Sequence, residues 1–188
     1  VATDGSGARA GTAQARATWF VVVGNNLGEP CWSLSGIVPG YLPQTAAMGE
    51  HYAYIAAMQY LVPESSGQQV VVVCDNQGVV NCAHEGLKAN ALKLQQYAGI
   101  WRSTFSVAAR KLLPVYDVRK VKSHQVLEDI PHEQIALRAA VRMNAEADKW
   151  AGEAHSLFLD DPASIKEADI EHAEMKALAR HAAAQVER

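Results

Sequence analysis

Cysteine is scarce: of 188 residues only Cys31, Cys74 and Cys82 carry a thiol. Three scattered cysteines cannot staple a small secreted scaffold, lack the paired spacing of a zinc site, and suit a reducing compartment. Long apolar runs are missing as well. None nears the ~18 consecutive residues of a membrane span, which excludes an integral membrane helix. Net charge is slight, −3 at neutral pH, so any nucleic-acid partner must be held by a local patch. What is present is a hydrophobic share of 49% beside a charged share of 20%. That balance builds a sizeable core and excludes disorder as the main state.

The length suits one domain with residues left over for an arm. Val1 runs straight into a strand pattern with no signal-peptide character. The expected reading is a piece of a longer precursor, acting inside the cell in nucleus or cytoplasm, with any targeting segment outside it. Charge is unevenly spread. Residues 86–125 carry eight basic side chains (Lys88, Lys93, Arg102, Arg110, Lys111, Arg119, Lys120 and Lys122) against Asp117 alone, while both flanks are acidic. Such a block is either a solvated face or a surface that tracks phosphates.

Patterning along the chain predicts a short strand over 1–4 ending in Asp4-Gly5-Ser6, and a loop over 7–17. A strand rich in aromatic and β-branched residues follows over 18–25, turning at Asn25-Asn26-Leu27-Gly28 into another over 30–38. Thr45 stands where a helix N-cap belongs, ahead of Ala46, Glu50, Ala53, Ala57 and Tyr60 at helical spacing. Val70–Cys74 is a continuous apolar run, expected of a strand buried on both faces. A short helix over 76–84, a long helix from Leu87 to Leu112, a strand over 115–122, a polar loop over 125–134 and a helix through Ala140–Phe158 complete the domain. Three early strands joined by turns form an antiparallel meander, and the later strands return through helices and pair in parallel. The expected fold class is therefore α/β, a mixed five-stranded sheet with helices on both faces.

Four acidic residues fall where carboxylates are costly. Asp4 ends the first strand and Asp75 ends the most buried one, so that both leave the same edge if the strands are neighbours. Glu50 lies within the apolar series of its helix. Asp148 follows Ala147, with Asn144 one turn earlier on the same face. Taken singly, Asp4-Gly5 reads as a turn, Asp75 as a cap for the next helix and Asp148 as a surface residue. Together they repel one another unless a divalent cation neutralises them, and an all-oxygen set suits Mg²⁺ or Mn²⁺.

Asp4-Gly5-Ser6, Glu50, Asp75-Asn76-Gln77, Val121-Lys122-Ser123-His124 and Asn144-Ala145-Glu146-Ala147-Asp148, in this order and on these elements, resemble a ribonuclease H domain over residues 1–158. The resemblance implies the ribonuclease H-like sheet and a metal-dependent endonuclease that cuts the RNA strand of RNA–DNA hybrids with two Mg²⁺ ions, Mn²⁺ substituting. It implies metal ligation by Asp4, Glu50, Asp75 and Asp148, and a mobile catalytic histidine at His124. It places Ser6, Gln77, Lys122 and Asn144 against the nucleic acid, with Lys88, Lys93 and Arg102 in the basic region. No membrane partner is expected. The domain is expected to be monomeric or part of a larger polypeptide, as in a retroelement polyprotein.

The chain also departs from that pattern. Ala46 and Ala47 stand where asparagines often precede the helical glutamate, Ala8-Arg9-Ala10-Gly11 replaces a glycine- and asparagine-rich loop, and the His124–Asp148 connection is longer than in compact cellular enzymes. A catalytically silent nucleic-acid-binding or scaffold domain is the competing reading, and decayed copies tend to lose the quartet that is complete here. Tyr97 and Trp101 could stack on bases, but their helical apolar series favours core packing. Residues 159–188 are expected to form a linker and an amphipathic helix outside the domain.

Overall fold

The computed structural model describes residues 1–9, 15–61, 70–85, 97–102 and 116–158, together with seven single positions between 163 and 177. Strands β1 (Ala2–Ala8), β2 (Arg16–Gly24) and β3 (Pro30–Ile37) are followed by helix α1 (Ala46–Leu61), strand β4 (Val70–Cys74), helix α2 (Gln77–Glu85), strand β5 (Tyr116–Lys120) and helix α3 (Ile135–Glu153). The sheet order is β3-β2-β1-β4-β5. β1, β2 and β3 pair antiparallel, whereas β4 pairs parallel to both β1 and β5. The mixed five-stranded sheet expected from the sequence is the sheet observed.

Two cores sandwich it. On one face Trp19, Val21, Val72 and Cys74 pack with Met48, Tyr54, Ile55 and Met58 of α1, Val79 of α2 and Trp101. On the other, Ala2, Phe20, Val22 and Val73 pack with Val141, Met143, Ala147 and Ala151 of α3. Helices thus cover both faces, and the alternation along each strand sends successive side chains to opposite cores. Thr45 caps α1 as its residue type predicts, its Oγ1 accepting from the Met48 N–H at 3.2 Å. Residues 53–58 of α1 are buried in succession because the helix is covered from several sides, while Tyr60, expected in its apolar series, is 60% exposed.

The first strand differs from its sequence reading. β1 continues to Ala8, pairing Ser6 with Thr18 and Ala8 with Arg16 across β2, so Asp4 sits mid-strand opposite Phe20 rather than at a strand end. Gly5 and Gly7 suggest a turn, yet they serve the close crossing of α1. A Cβ at Gly7 would lie 2.7 Å from the backbone nitrogen of Ala46. The glycines are there for closeness, not for reversal.

The expected strand over 115–122 is shorter, Tyr116–Lys120. Residues 98–102 are helical, and the rest of the long helix expected from Leu87 to Leu112 lies outside the described residues. So does most of the expected C-terminal helix, of which the seven described positions are helical and exposed. Among the described residues no helix is long and apolar enough to cross a membrane.

Candidate active site

Glu50 reaches the sheet because two glycines let α1 touch it. A Cβ at Gly5 would lie 2.0 Å from the Glu50 backbone nitrogen, and one at Gly49 would lie 2.5 Å from the Thr18 carbonyl oxygen. Backbone rides on backbone, and the Glu50 side chain is delivered beside Asp4. The parallel pairing Ala2↔Val73, extended by two residues, brings Asp4 level with Asp75 just past the end of β4. Both residues fall on the strand parity of Ala2 and Val73, which pack toward α3.

Asp75 does not cap α2. That task falls to Asn76, whose Oδ1 accepts from the N–H groups of Gly78 at 2.8 Å and Val79 at 3.2 Å. The Asp75 carboxylate is left for other work, while its carbonyl oxygen accepts from Lys120 Nζ at 3.0 Å.

Donor atoms of Glu50, Cys74 and Asp75 all lie within 4.8 Å of one another. Burial pushes the Glu50 carboxyl well above its ordinary value, and the charges of Asp4 and Asp75 push it further. Burial likewise raises Asp4, from 3.8 to about 7, and the neighbouring charges of Asp75 and Asp148 add to the rise; its hydrogen bond with Glu50 works the other way. Both carboxyls are therefore harder to ionise here than in water. The Cys74 thiol is raised to about 12, chiefly by burial and then by the charge of Glu50. Its Sγ lies 3.9 Å from Glu50 Oε2.

Asp148 projects from α3 at the rim, with 48% of its side chain exposed. His124 Nδ1 stands 3.4 Å from its Oδ2. His124 holds a left-handed backbone, φ 51°, in the loop after β5. Asn144, one helical turn before Asp148, is buried, and its Oδ1 lacks a hydrogen-bond partner. Asn144, Lys122, His124, Gln125 and Asp148 line a small cavity of about 40 Å³.

The remaining expected contact residues spread outward. Ser6 is half-buried in β1. Gln77 opens α2 on the surface, its Nε2 donating to Asn81 Oδ1 at 2.7 Å. Arg102 and Lys122 are exposed, and Lys88 and Lys93 lie outside the described residues. Trp101 is a core residue, 1% exposed, and Tyr97 stacks on His51, so packing is the role of both. Two residues escape a sequence reading. Cys74 joins the carboxylates, and its place directly before Asp75 was the only signal. His51 carried none, although burial lowers its pKa to about 4.

The convergence of Asp4, Glu50 and Asp75, with Asp4 and Glu50 made hard to ionise by burial and neighbouring charge, fits a divalent cation, which would relieve both costs. The oxygen-rich set suits Mg²⁺ or Mn²⁺, with the thiol as one softer neighbour.

No sequence-family profile matches the chain, and no curated protein does. Solved structures do. The solution structure of the prototype foamy virus RNase H domain aligns at a TM-score of 0.58 and 23% identity, covering 81% of this chain and 90% of that one. The protease–reverse transcriptase of the same virus aligns at 0.58 and 24%, covering 80% of this chain and 20% of that one. The chain thus spans about a fifth of that larger protein. LC11-RNase H1, a compost metagenome protein solved in complex with an RNA/DNA hybrid, aligns at 0.52 and 17%, covering 81% of this chain and 94% of that one. With the strand order, the helices on both faces and the alignment over four-fifths of its length, the chain has the ribonuclease H fold.

Proposed function

We propose that residues 1–158 are a ribonuclease H domain that hydrolyses the RNA strand of RNA–DNA hybrids. The observation that carries this reading is the convergence of Asp4, Glu50 and Asp75, from β1, α1 and the end of β4, at one edge of a ribonuclease H sheet. A structural role for three mutually repelling carboxylates in one buried place would be a pure cost. A scaffold that had lost catalysis would have no reason to keep it.

Asp4, Glu50, Asp75 and Asp148 would hold two divalent ions, Mg²⁺ by the hardness of the oxygens. Such ions supply Lewis-acid stabilisation at phosphate and lower the pKa of water. Metal loading would compete with protons for the raised Asp4 and Glu50 carboxyls, which makes occupancy depend on pH. His124, with Asp148 beside Nδ1, would carry a proton to or from the reacting strand. The rigid backbone crossing at Gly5 and Gly49 fixes Glu50 against Asp4 before substrate arrives.

Binding would be divided by chemistry. Lys122, Arg102, Lys88 and Lys93 would meet phosphates, while the side chains of Asn144, Ser6 and Gln77 would supply the directional hydrogen bonds that position a strand. The partner is an RNA–DNA hybrid, met by the domain alone or within a larger polypeptide. The test is incubation with labelled hybrid, duplex RNA and duplex DNA, with Mg²⁺, Mn²⁺ or chelator. Cleavage confined to the RNA strand of the hybrid, and abolished by chelator, is the expected result. Cutting of duplex DNA at an equal rate would overturn the substrate.

A further inference from the structure

Asp75 lies in the short link between β4 and α2, where three consecutive carbonyls are held. Cys74 O accepts from the Val121 N–H at 3.1 Å, and Asn76 O accepts from the Val80 N–H at 3.2 Å. Main chain thus holds the carbonyls on either side of Asp75. The carbonyl of Asp75 itself is held by a side chain. Lys120 Nζ donates to it at 3.0 Å, from 45 residues away in sequence. Lys120 closes β5 and stands opposite Cys74 in the parallel ladder, so its side chain starts one residue short of the carbonyl it reaches.

β5 is an edge strand and Lys120 is exposed, so water could solvate its ammonium fully. Instead the side chain bends over the end of β4, at a cost in rotamer entropy. The contact fixes the peptide plane that follows Asp75. With it goes the backbone torsion that aims the Asp75 carboxylate toward Asp4 and Glu50. Charge alone would make Lys120 a poor neighbour for a metal site, because a nearby cation weakens the binding of a divalent ion. A lysine that favours metal binding here must act through geometry, and the sign of its effect is therefore diagnostic.

We propose that Lys120 is a positioning residue for Asp75, holding its carboxylate ready for a divalent ion through the hydrogen bond to the Asp75 carbonyl. The inference rests on the metal-dependent ribonuclease reading and deepens it. Lys120 meets neither ion nor substrate in this role. It orients a group that does, as the hydrogen-bond partners of metal ligands commonly do.

The experiment compares the wild-type chain with Lys120→Met, which keeps the reach of the side chain without donor or charge, and with Lys120→Arg, which keeps both. Mn²⁺ affinity is measured without nucleic acid, from the electron paramagnetic resonance signal of free Mn²⁺. The urea midpoint and the kcat and KM for a labelled RNA–DNA hybrid are measured beside it. Lys120→Met is expected to bind Mn²⁺ about tenfold more weakly and to lose a similar factor in kcat, with KM within about twofold and an unchanged midpoint. Lys120→Arg should restore both affinity and kcat. Tighter Mn²⁺ binding by Lys120→Met would reduce Lys120 to a neighbouring charge and overturn the proposal. An unchanged affinity, a raised KM at constant kcat, which marks a phosphate contact, or a midpoint that falls together with the affinity would overturn it as well. If the wild-type chain binds no Mn²⁺ or cuts no hybrid, the ribonuclease reading itself falls, and this inference with it.

Discussion

A Cβ atom on Gly5 would stand 2.0 Å from the backbone nitrogen of Glu50. The strand and the helix that carry the two buried acids Asp4 and Glu50 therefore touch through main chain alone. No rotamer change can make room there, because the obstacle is backbone on both sides. Gly5→Ala is expected to lower the unfolding free energy by about 3 kcal/mol or more, read as a shift in urea midpoint. A wild-type midpoint would mean that β1 and α1 do not cross at this distance.

The buried acids also set a pH dependence. Asp4 rises from 3.8 to about 7 in the folded chain, through burial first and neighbouring charge second, and Glu50 is raised for the same reasons. A carboxyl raised on folding binds more protons folded than unfolded, so stability falls as pH increases. In the metal-free protein these two acids contribute stability that is fully present below about pH 4 and is lost as pH rises through 7, against the opposite and earlier contribution of buried His51 between about pH 4 and 6.5. Melting temperatures in chelator at pH 5 and pH 8 check this, with the lower value at pH 8. Mg²⁺ should recover the loss at pH 8, and Glu50→Gln should flatten the slope. A melting temperature that climbs from pH 5 to pH 8 without metal would contradict the assignment.

Much of this architecture is legible in the chain. The apolar run Val70–Cys74 and the Thr45 cap mark their elements because burial on both faces and a hydroxyl acceptor leave local signatures. Gly5 and Gly7 mislead, since a glycine kept for a close approach looks like a glycine kept for a turn. Asp75 and Asn76 both fit an N-cap by type, and only the register of α2 decides for Asn76. Cys74 and His51 stay hidden for a different reason. Their neighbours are distant in sequence, Glu50 for the one and Trp101 for the other, and no local pattern encodes a contact across 24 or 50 residues.

The basic stretch should supply affinity through phosphate contacts and counterion release. Replacing Lys88, Lys93 and Arg102 together with alanine should raise the apparent KM and flatten the dependence of log affinity on log salt by about two to three units of slope. The slope from a salt titration is the readout. An unchanged slope would leave these residues as a solvated face.

Selectivity offers another check. Ala46 is exposed at the first position of α1, where an amide side chain could reach the groove. Ala46→Asn should tighten hybrid binding by up to about tenfold and leave the metal requirement alone, since one hydrogen bond is worth about 0.5–1.5 kcal/mol. Gln77→Ala should weaken it, despite freeing Asn81. Competition binding with hybrid and duplex DNA reads both effects. No change in either variant would remove this edge of the domain from the interface.

The central claim is that the acids gathered around Asp75 work together on a metal-dependent hydrolysis. Asp75→Asn keeps the shape of the side chain and removes one repelling charge. The decisive measurement is the rate of RNA-strand cleavage in a labelled hybrid with Mg²⁺ by this variant, beside its melting temperature in chelator. The account predicts a rate reduced by about a thousandfold or more, in a protein that is as stable as the wild type or more so. Wild-type turnover by a folded Asp75→Asn chain would contradict it.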